Sequence, residues 1–230
     1  MFDRFKKFGA ISDRGQGQSN GAAGTDAVSR WASGQGFTYS GPAKGVGFCL
    51  SGSMGGRPWK LERSIASRDF FKGDEIRARA ELKVLEGVAV IVMNRPLKET
   101  LEERAYKIYT DPVQTVAEPS LSEEMRWLAL YPEFVWKALP DAFWRRYTVL
   151  ASHGSDAAAW IPESLVQLLM LLGASDPNAE VPFMLMLLRG KVYLRMQYTP
   201  ADLQTLQHAS AIFVGACESA LAGFSGGARL

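Results

Sequence analysis

The stretch Val181–Tyr198, VPFMLMLLRGKVYLRMQY, decides how this chain folds. Arg189-Gly190 interrupts an otherwise strand-forming run, so it reads as two strands joined by a tight turn. Phe183 to Leu188 is apolar at every position, which suits a strand covered on both faces. On the return strand Val192, Leu194, Met196 and Tyr198 alternate with polar residues and line one face. Upstream, Glu75 to Leu82 follows the same rule. Ile76, Ala78, Ala80 and Leu82 share one face, while Arg77, Arg79, Glu81 and Lys83 share the other. After a turn at Glu86-Gly87, Val88 to Met93 (VAVIVM) is again apolar throughout and reads as a central strand.

Helices follow these strand pairs. Pro96 suits a first helical turn, opening LKETLEERAYKIY. Thr199-Pro200 is a cap and first-turn pair for ADLQTLQHASAIFVGACESAL, which buries Leu203, Leu206, Ala209, Ile212, Phe213, Ala216 and Ala220. Ser120 stands three residues before Glu123, a capping-box spacing. Trp144 to Ala151 reads as a strand, and Ser155-Asp156 opens a helix through Leu172. The class predicted is α+β: antiparallel sheets with packed helices, in two loosely related halves. Residues 1–24 read as a flexible segment, 25–109 as a sheet plus helix and 110–142 as a Pro-rich aromatic connector. Residues 143–222 read as strand, helix, hairpin and helix, and 223–230 as a frayed tail. Each half has a hydrophobic strand pair followed by a closing helix (Val88–Tyr109 and Val181–Leu221), without a residue-level repeat.

Composition narrows the class further. With 230 residues, 47% hydrophobic and 22% charged, the chain has the make-up of a globular protein with its own core. A net charge of +2 gives no bulk argument for nucleic acid or an anionic membrane. Cys49 and Cys217 lie in apolar surroundings and read as two buried, reduced thiols. No segment reaches the roughly 18 apolar residues of a membrane helix. The start, MFDRFKKFGAISDRGQG, lacks the apolar core of a secretory signal. Phe2, Phe5 and Phe8 with Arg4, Lys6 and Lys7 make at most a short basic amphipathic turn. The location expected is the cytoplasm.

The Gly-rich stretch Gly41–Arg57, GPAKGVGFCLSGSMGGR, invites a phosphate-loop reading and fails it. Neither Gly41 nor Gly47 starts a run ending in Gly-Lys-Ser/Thr. Gly45-Val-Gly47 begins a dinucleotide pattern, but Leu50 occupies the third glycine's place and strand-like PWKLERS follows. A hairpin between VGFCLSG and PWKLERS fits better. A formal G-x-S-x-G at Gly223–Gly227 sits at a helix end without the strand context a nucleophile turn needs. His153, Ser155 and Asp156 are too close in sequence to converge as a triad. His208 and Cys217 lack ligand spacing, and Glu102-Glu103 and Glu123-Glu124 read as solvated helix faces, so no metal, cofactor or catalytic residue is assigned.

Two constellations remain. The basic set Arg57, Lys60, Arg77 and Arg79, with Trp59, Phe70 and Phe71 interleaved, is a candidate anion-binding face for an anionic ligand or single-stranded nucleic acid. The alternative is a wet sheet face with mixed charges that discourages edge pairing. The aromatic set Trp127, Tyr131, Trp136, Trp144, Arg145 and Arg146 is a candidate partner interface, for another protein or a second copy. The alternative is internal glue between the halves.

From Phe143 to Arg195 the chain also resembles the C-terminal part of an uncharacterised bacterial domain family. A Y-x-V strand, here Tyr147-Thr-Val149, a helix and a two-strand hairpin recur in that family. The resemblance is carried by RRYTVLASHGSDAAAWIPESLVQLLMLL and PFMLMLLRGKVYLR. It implies a bacterial accessory or interaction protein and carries over no catalytic residue. The function expected first is therefore a non-enzymatic interaction or assembly protein that self-associates or takes a protein partner. An anion-binding module comes second. An enzyme with a dispersed site, using for example His153, Asp156 and Arg57, comes third.

Overall fold

The computed structural model describes residues 26–41, 47–110, 121–172, 181–199 and 202–225. The chain begins there with a helix over 26–34 (α1). It continues through β1 (Thr38–Ser40), β2 (Phe48–Met54), β3 (Arg57–Ile65), β4 (Asp74–Glu81) and β5 (Ala89–Asn94). Helices α2 (Arg95–Thr110), α3 (Glu123–Leu130) and α4 (Asp141–Arg146) precede β6 (Tyr147–Ala151). Then come α5 (Gly154–Trp160), α6 (Glu163–Leu171), β7 (Phe183–Leu188), β8 (Lys191–Tyr198) and α7 (Leu203–Phe224). The α+β class is as expected, with all eight strands in one antiparallel sheet ordered β1-β2-β3-β4-β8-β7-β5-β6.

This order joins the two halves. The β7–β8 hairpin of the second half inserts between β4 and β5 of the first, so β4 pairs with β8 over Asp74↔Tyr198 to Glu81↔Lys191. β4 and β5 are consecutive in sequence but three strand spacings apart, roughly 14 Å. The seven residues between them reach that far, since an extended chain covers about 3.3 Å per residue. Arg189 (φ 51°) and Gly190 (φ 71°) form the left-handed pair that a two-residue hairpin turn requires. A side chain on Gly190 would stand 2.8 Å from the Val84 carbonyl oxygen, so the connection also packs against this turn.

The sheet is covered on one face by α1, α5, α6 and α7. Leu50, Leu61, Ile76, Leu185, Leu194 and Met196 meet Trp160, Leu165, Ile212 and Phe213 in the main core. Trp160 donates its indole N–H to the Ala216 carbonyl at 3.0 Å, which satisfies a buried polar atom between α5 and α7. The other face is covered only in part. There α2 and α3, with Phe70 and Phe71, pack on Ile91, Met93, Leu150, Met184 and Met186. That explains why β5 and β7 are apolar on both faces while β4 and β8 alternate. Beyond β8 no described helix covers the second face.

Several local readings change. Trp144–Arg146 belong to α4, and the strand starts only at Tyr147, where every residue is buried. The helix expected from Ser155 to Leu172 is two, because Ile161-Pro162 interrupts the backbone ladder between α5 and α6. His153 is the residue preceding α5, and Asp156 is not its cap. Ser122, not Ser120, caps α3 by accepting from the Met125 N–H, and Asp202 caps α7 by accepting from Thr205. Cys217 is buried, and burial pushes its thiol pKa up; Cys49 is only half-buried, and both are free. The N-terminal segment, Thr25, Lys44, Gly45, Ser120, Pro200 and the tail beyond Ser225 lie outside the described residues. No described helix is long and apolar enough to cross a membrane.

The hairpin reading of Gly41–Arg57 survives where it is described. Gly55 and Gly56 turn β2 into β3 with φ of 55° and 72°. Gly52 pairs with Trp59 and lies under its indole, where an added Cβ would come within 2.6 Å of the ring. Trp59 is held in turn by Phe37 and Phe213, edge-on at 4.9 and 6.0 Å. Gly52→Ala is therefore expected to destabilise the fold by about 1–3 kcal/mol through overpacking, read by urea denaturation. An unchanged midpoint would mean that Trp59 is free to move.

Candidate anion-binding groove

The open face is built by the polar positions of β3, β4 and β8. Register sets them in rows across the strands. One row runs Lys60–Arg79–Tyr193, the next Glu62–Arg77–Arg195, and both continue onto β7 at Met186 and Met184. Over these rows lies a cavity of about 650 Å³, closed on one side by Ser67 and Arg68 from the segment after β3. That is within the roughly 300–1,000 Å³ of small-ligand sites. Five cationic side chains, Lys60, Arg68, Arg77, Arg79 and Arg195, line it against two carboxylates, Glu62 and Glu81.

Neutralisation across this face is uneven. Arg195 is 14% exposed and donates Nε–H to the fully buried Glu75 at 2.6 Å. Its other nitrogens donate to Glu124 at 3.2 Å and to the Ser67 hydroxyl at 2.9 Å. Glu124, only 1% exposed, also accepts from Arg68 at 2.7 Å. That carboxylate raises the Arg68 pKa, so the guanidinium stays charged. Arg79 is paired with Glu81 and sits 5.8 Å from the Tyr193 ring centroid. Arg77 is different. It lies directly opposite Arg195, its nearest carboxylate is Glu62 at 3.8 Å, and its buried Nε has no partner among the described residues. Lys60 is exposed and makes no ion pair or hydrogen bond with a described residue. Like charges facing each other across strands destabilise a sheet, so the Arg77–Arg195 pair calls for negative charge. Protein carboxylates meet Arg195 at hydrogen-bond distance and Arg77 only through Glu62 at 3.8 Å, and both Arg77 and Lys60 line the cavity.

Beside it lies a second cavity of about 460 Å³, beneath α3. Its lining mixes Trp127, Tyr131, Met186 and Leu188 with the carboxylates of Glu86, Glu123 and Glu124 and with Arg189, and Arg68, Tyr193 and Arg195 belong to both cavities.

The structure brings together Lys60, Arg77 and Arg79 of the candidate anion face. Arg57 is not with them: it shares the strand parity of Trp59 and stands at the β2–β3 turn. Phe70 and Phe71 are buried under α2 and α3. The candidate partner set divides. Trp127 and Tyr131 belong to the second cavity. On the opposite face Trp144 packs edge-on against Trp136 and Phe143, with centroids 5.0 Å away in each case. Arg146 donates to the Met170 and Leu172 carbonyls, and Arg145 is exposed. Glu124 is not on a solvated helix face but buried beneath two arginines. His153 is exposed at the end of β6, with Nδ1 3.7 Å from Asp156. Arg57 lies five strands away from β6, roughly 24 Å across the sheet, so these three do not form one site. No cluster of metal-ligating side chains occurs among the described residues. Sequence reasoning passed over Arg195, Tyr193 and Glu75. The signal for the first two was the other half of the β8 alternation, whose apolar half was read.

No family model matches the chain, and no curated protein matches it. Among solved structures, it is similar to the mycobacterial trehalose monomycolate transport factor A, TtfA, at 11% identity and a TM-score of 0.45. The match covers 86% of this chain and 94% of that one.

Removing one partner of a buried ion pair strands the other. Glu75→Leu is expected to cost about 3–5 kcal/mol in urea denaturation, and adding Arg195→Met is expected to recover much of it. A double variant no more stable than the single would show that the pair is not coupled.

Proposed function

We propose that this protein is a non-enzymatic binding module that takes an anionic ligand on the open face of β3, β4 and β8. The observation that carries the reading is the pairing pattern: Arg77 and Lys60 line a cavity without a carboxylate at hydrogen-bond distance, while their neighbours are neutralised. An anion with two or more acceptor oxygens answers both cations and relieves the repulsion between Arg77 and Arg195. The cavity's volume of about 650 Å³ favours a small ligand over a nucleic-acid strand. Titration calorimetry with inorganic pyrophosphate is expected to show one site whose affinity falls as salt rises. Arg77→Ala and Lys60→Ala are each expected to weaken it about tenfold, since a charge-assisted hydrogen bond contributes about 1.5–3 kcal/mol. Absence of heat at low salt, or full affinity in both variants, would overturn the reading.

A second reading, a protein-contact surface on the aromatic connector, has its own support. Leu130 and Val135 are each 65% exposed and stand next in sequence to Tyr131 and Trp136. A partner or a second copy covering them would bury apolar surface that water now meets. If it does so, Leu130→Glu with Val135→Glu lowers the native mass measured by light scattering; an unchanged mass dismisses self-association.

A further inference from the structure

Resting on the anion-binding reading, we infer that the ligand is a phosphorylated amine, a phosphate monoester whose ammonium group is taken by Glu62. Glu62 lines the same cavity as Lys60 and Arg77. It stands on β3 two residues from Lys60, on the same face, and directly opposite Arg77 on β4. Those spacings are roughly 7 Å along the strand and about 5 Å across it. The Glu62 side chain is 44% exposed, and its carboxylate makes no hydrogen bond with a described residue. Arg77, at 3.8 Å, is its ion-pair partner among the described residues.

Both signs of charge are therefore offered to a ligand in one place. Lys60 and Arg77 present N–H donors, and Glu62 presents acceptor oxygens beside them. A plain anion answers the two cations but brings a second negative charge next to Glu62. An ammonium group attached to that anion turns the repulsion into a charge-assisted hydrogen bond. The remaining charges on this face set the sign of the ligand's net charge. Arg68 and Arg195 are matched by Glu124 and Glu75. Arg79 and Lys191 share Glu81. With Lys60 and Arg77 set against Glu62, the face keeps a positive excess, so the ligand's phosphate must outweigh its ammonium. A phosphate monoester does so, with a charge of about −1.5 to −2 at neutral pH. A phosphodiester with one ammonium, the form such a head takes on a lipid, is neutral overall and does not.

The test compares O-phosphoethanolamine with ethyl phosphate and glycerol phosphate by calorimetry on the full chain near neutral pH. O-phosphoethanolamine is expected to bind about fivefold more tightly than ethyl phosphate, the upper range for an exposed ion pair. Glu62→Gln is expected to weaken O-phosphoethanolamine and to strengthen ethyl phosphate, opposite shifts that a folding defect does not produce. Vesicles of phosphatidylethanolamine in phosphatidylcholine are expected not to sediment the protein. Ethyl phosphate or glycerol phosphate binding the unmodified chain as tightly as O-phosphoethanolamine would overturn the ammonium site and leave the anion site standing, and this comparison holds even if Glu62→Gln fails to fold. Binding to the vesicles without binding to the free compound would overturn the monoester. If none of the three phosphates binds, the anion-binding reading falls with it.

Discussion

The pairing of β4 with β8 holds this molecule together. It closes eight residues of the first half onto eight of the second and leaves Arg77 facing Arg195 in the middle of the seam. Two guanidinium groups in that position repel, and the seam forms only with negative charge close by. Glu75 supplies it from within the sheet and Glu124 from α3 above, both almost wholly buried. The interaction thus links three parts of the chain that are far apart in sequence. It positions α3, through Glu124, and the segment after β3, through Ser67 and Arg68. Both walls of the groove are consequences of neutralising one arginine on β8.

The same seam separates two chemistries. On the α7 side it is ordinary core: Ile76, Ala78, Leu194 and Met196 pack as any alternating strands do. On the other side, cover by α2 and α3 extends over β5 and β7 and stops near β8. What lies beyond must be soluble, and it is made so by Lys60, Arg77, Arg79 and their carboxylates. A mixed-charge face would serve solubility alone if each cation had its partner. The incomplete pairing at Arg77 and Lys60 is what separates a wet face from a candidate site.

Much of the fold was legible because alternation and apolar runs report burial directly. β4, β5, β7 and β8 were each readable from their own residues, as was the Arg189-Gly190 turn. Strand order was not. That Glu86-Gly87 leads across two inserted strands, and not back along β4, depends on contacts between residues over a hundred positions apart. Arg77 and Arg79 were legible as a polar face, while the importance of Glu75 and Glu124 was not. A buried carboxylate has the same letter as a solvated one, and only the partner arginines distinguish them. The aromatic connector misled for a similar reason. Trp127 and Trp144 are seventeen positions apart in sequence but belong to opposite faces of the sheet, so a run of aromatics was read as one surface when it serves two.

The proposed anion groove stands on Arg77 and Lys60 facing a cavity without a carboxylate at hydrogen-bond distance. A crystal structure of the chain with pyrophosphate tests it most directly. The predicted result is phosphate oxygens in hydrogen-bond contact with Lys60 and Arg77. Pyrophosphate seated elsewhere, with this groove unchanged, would contradict it.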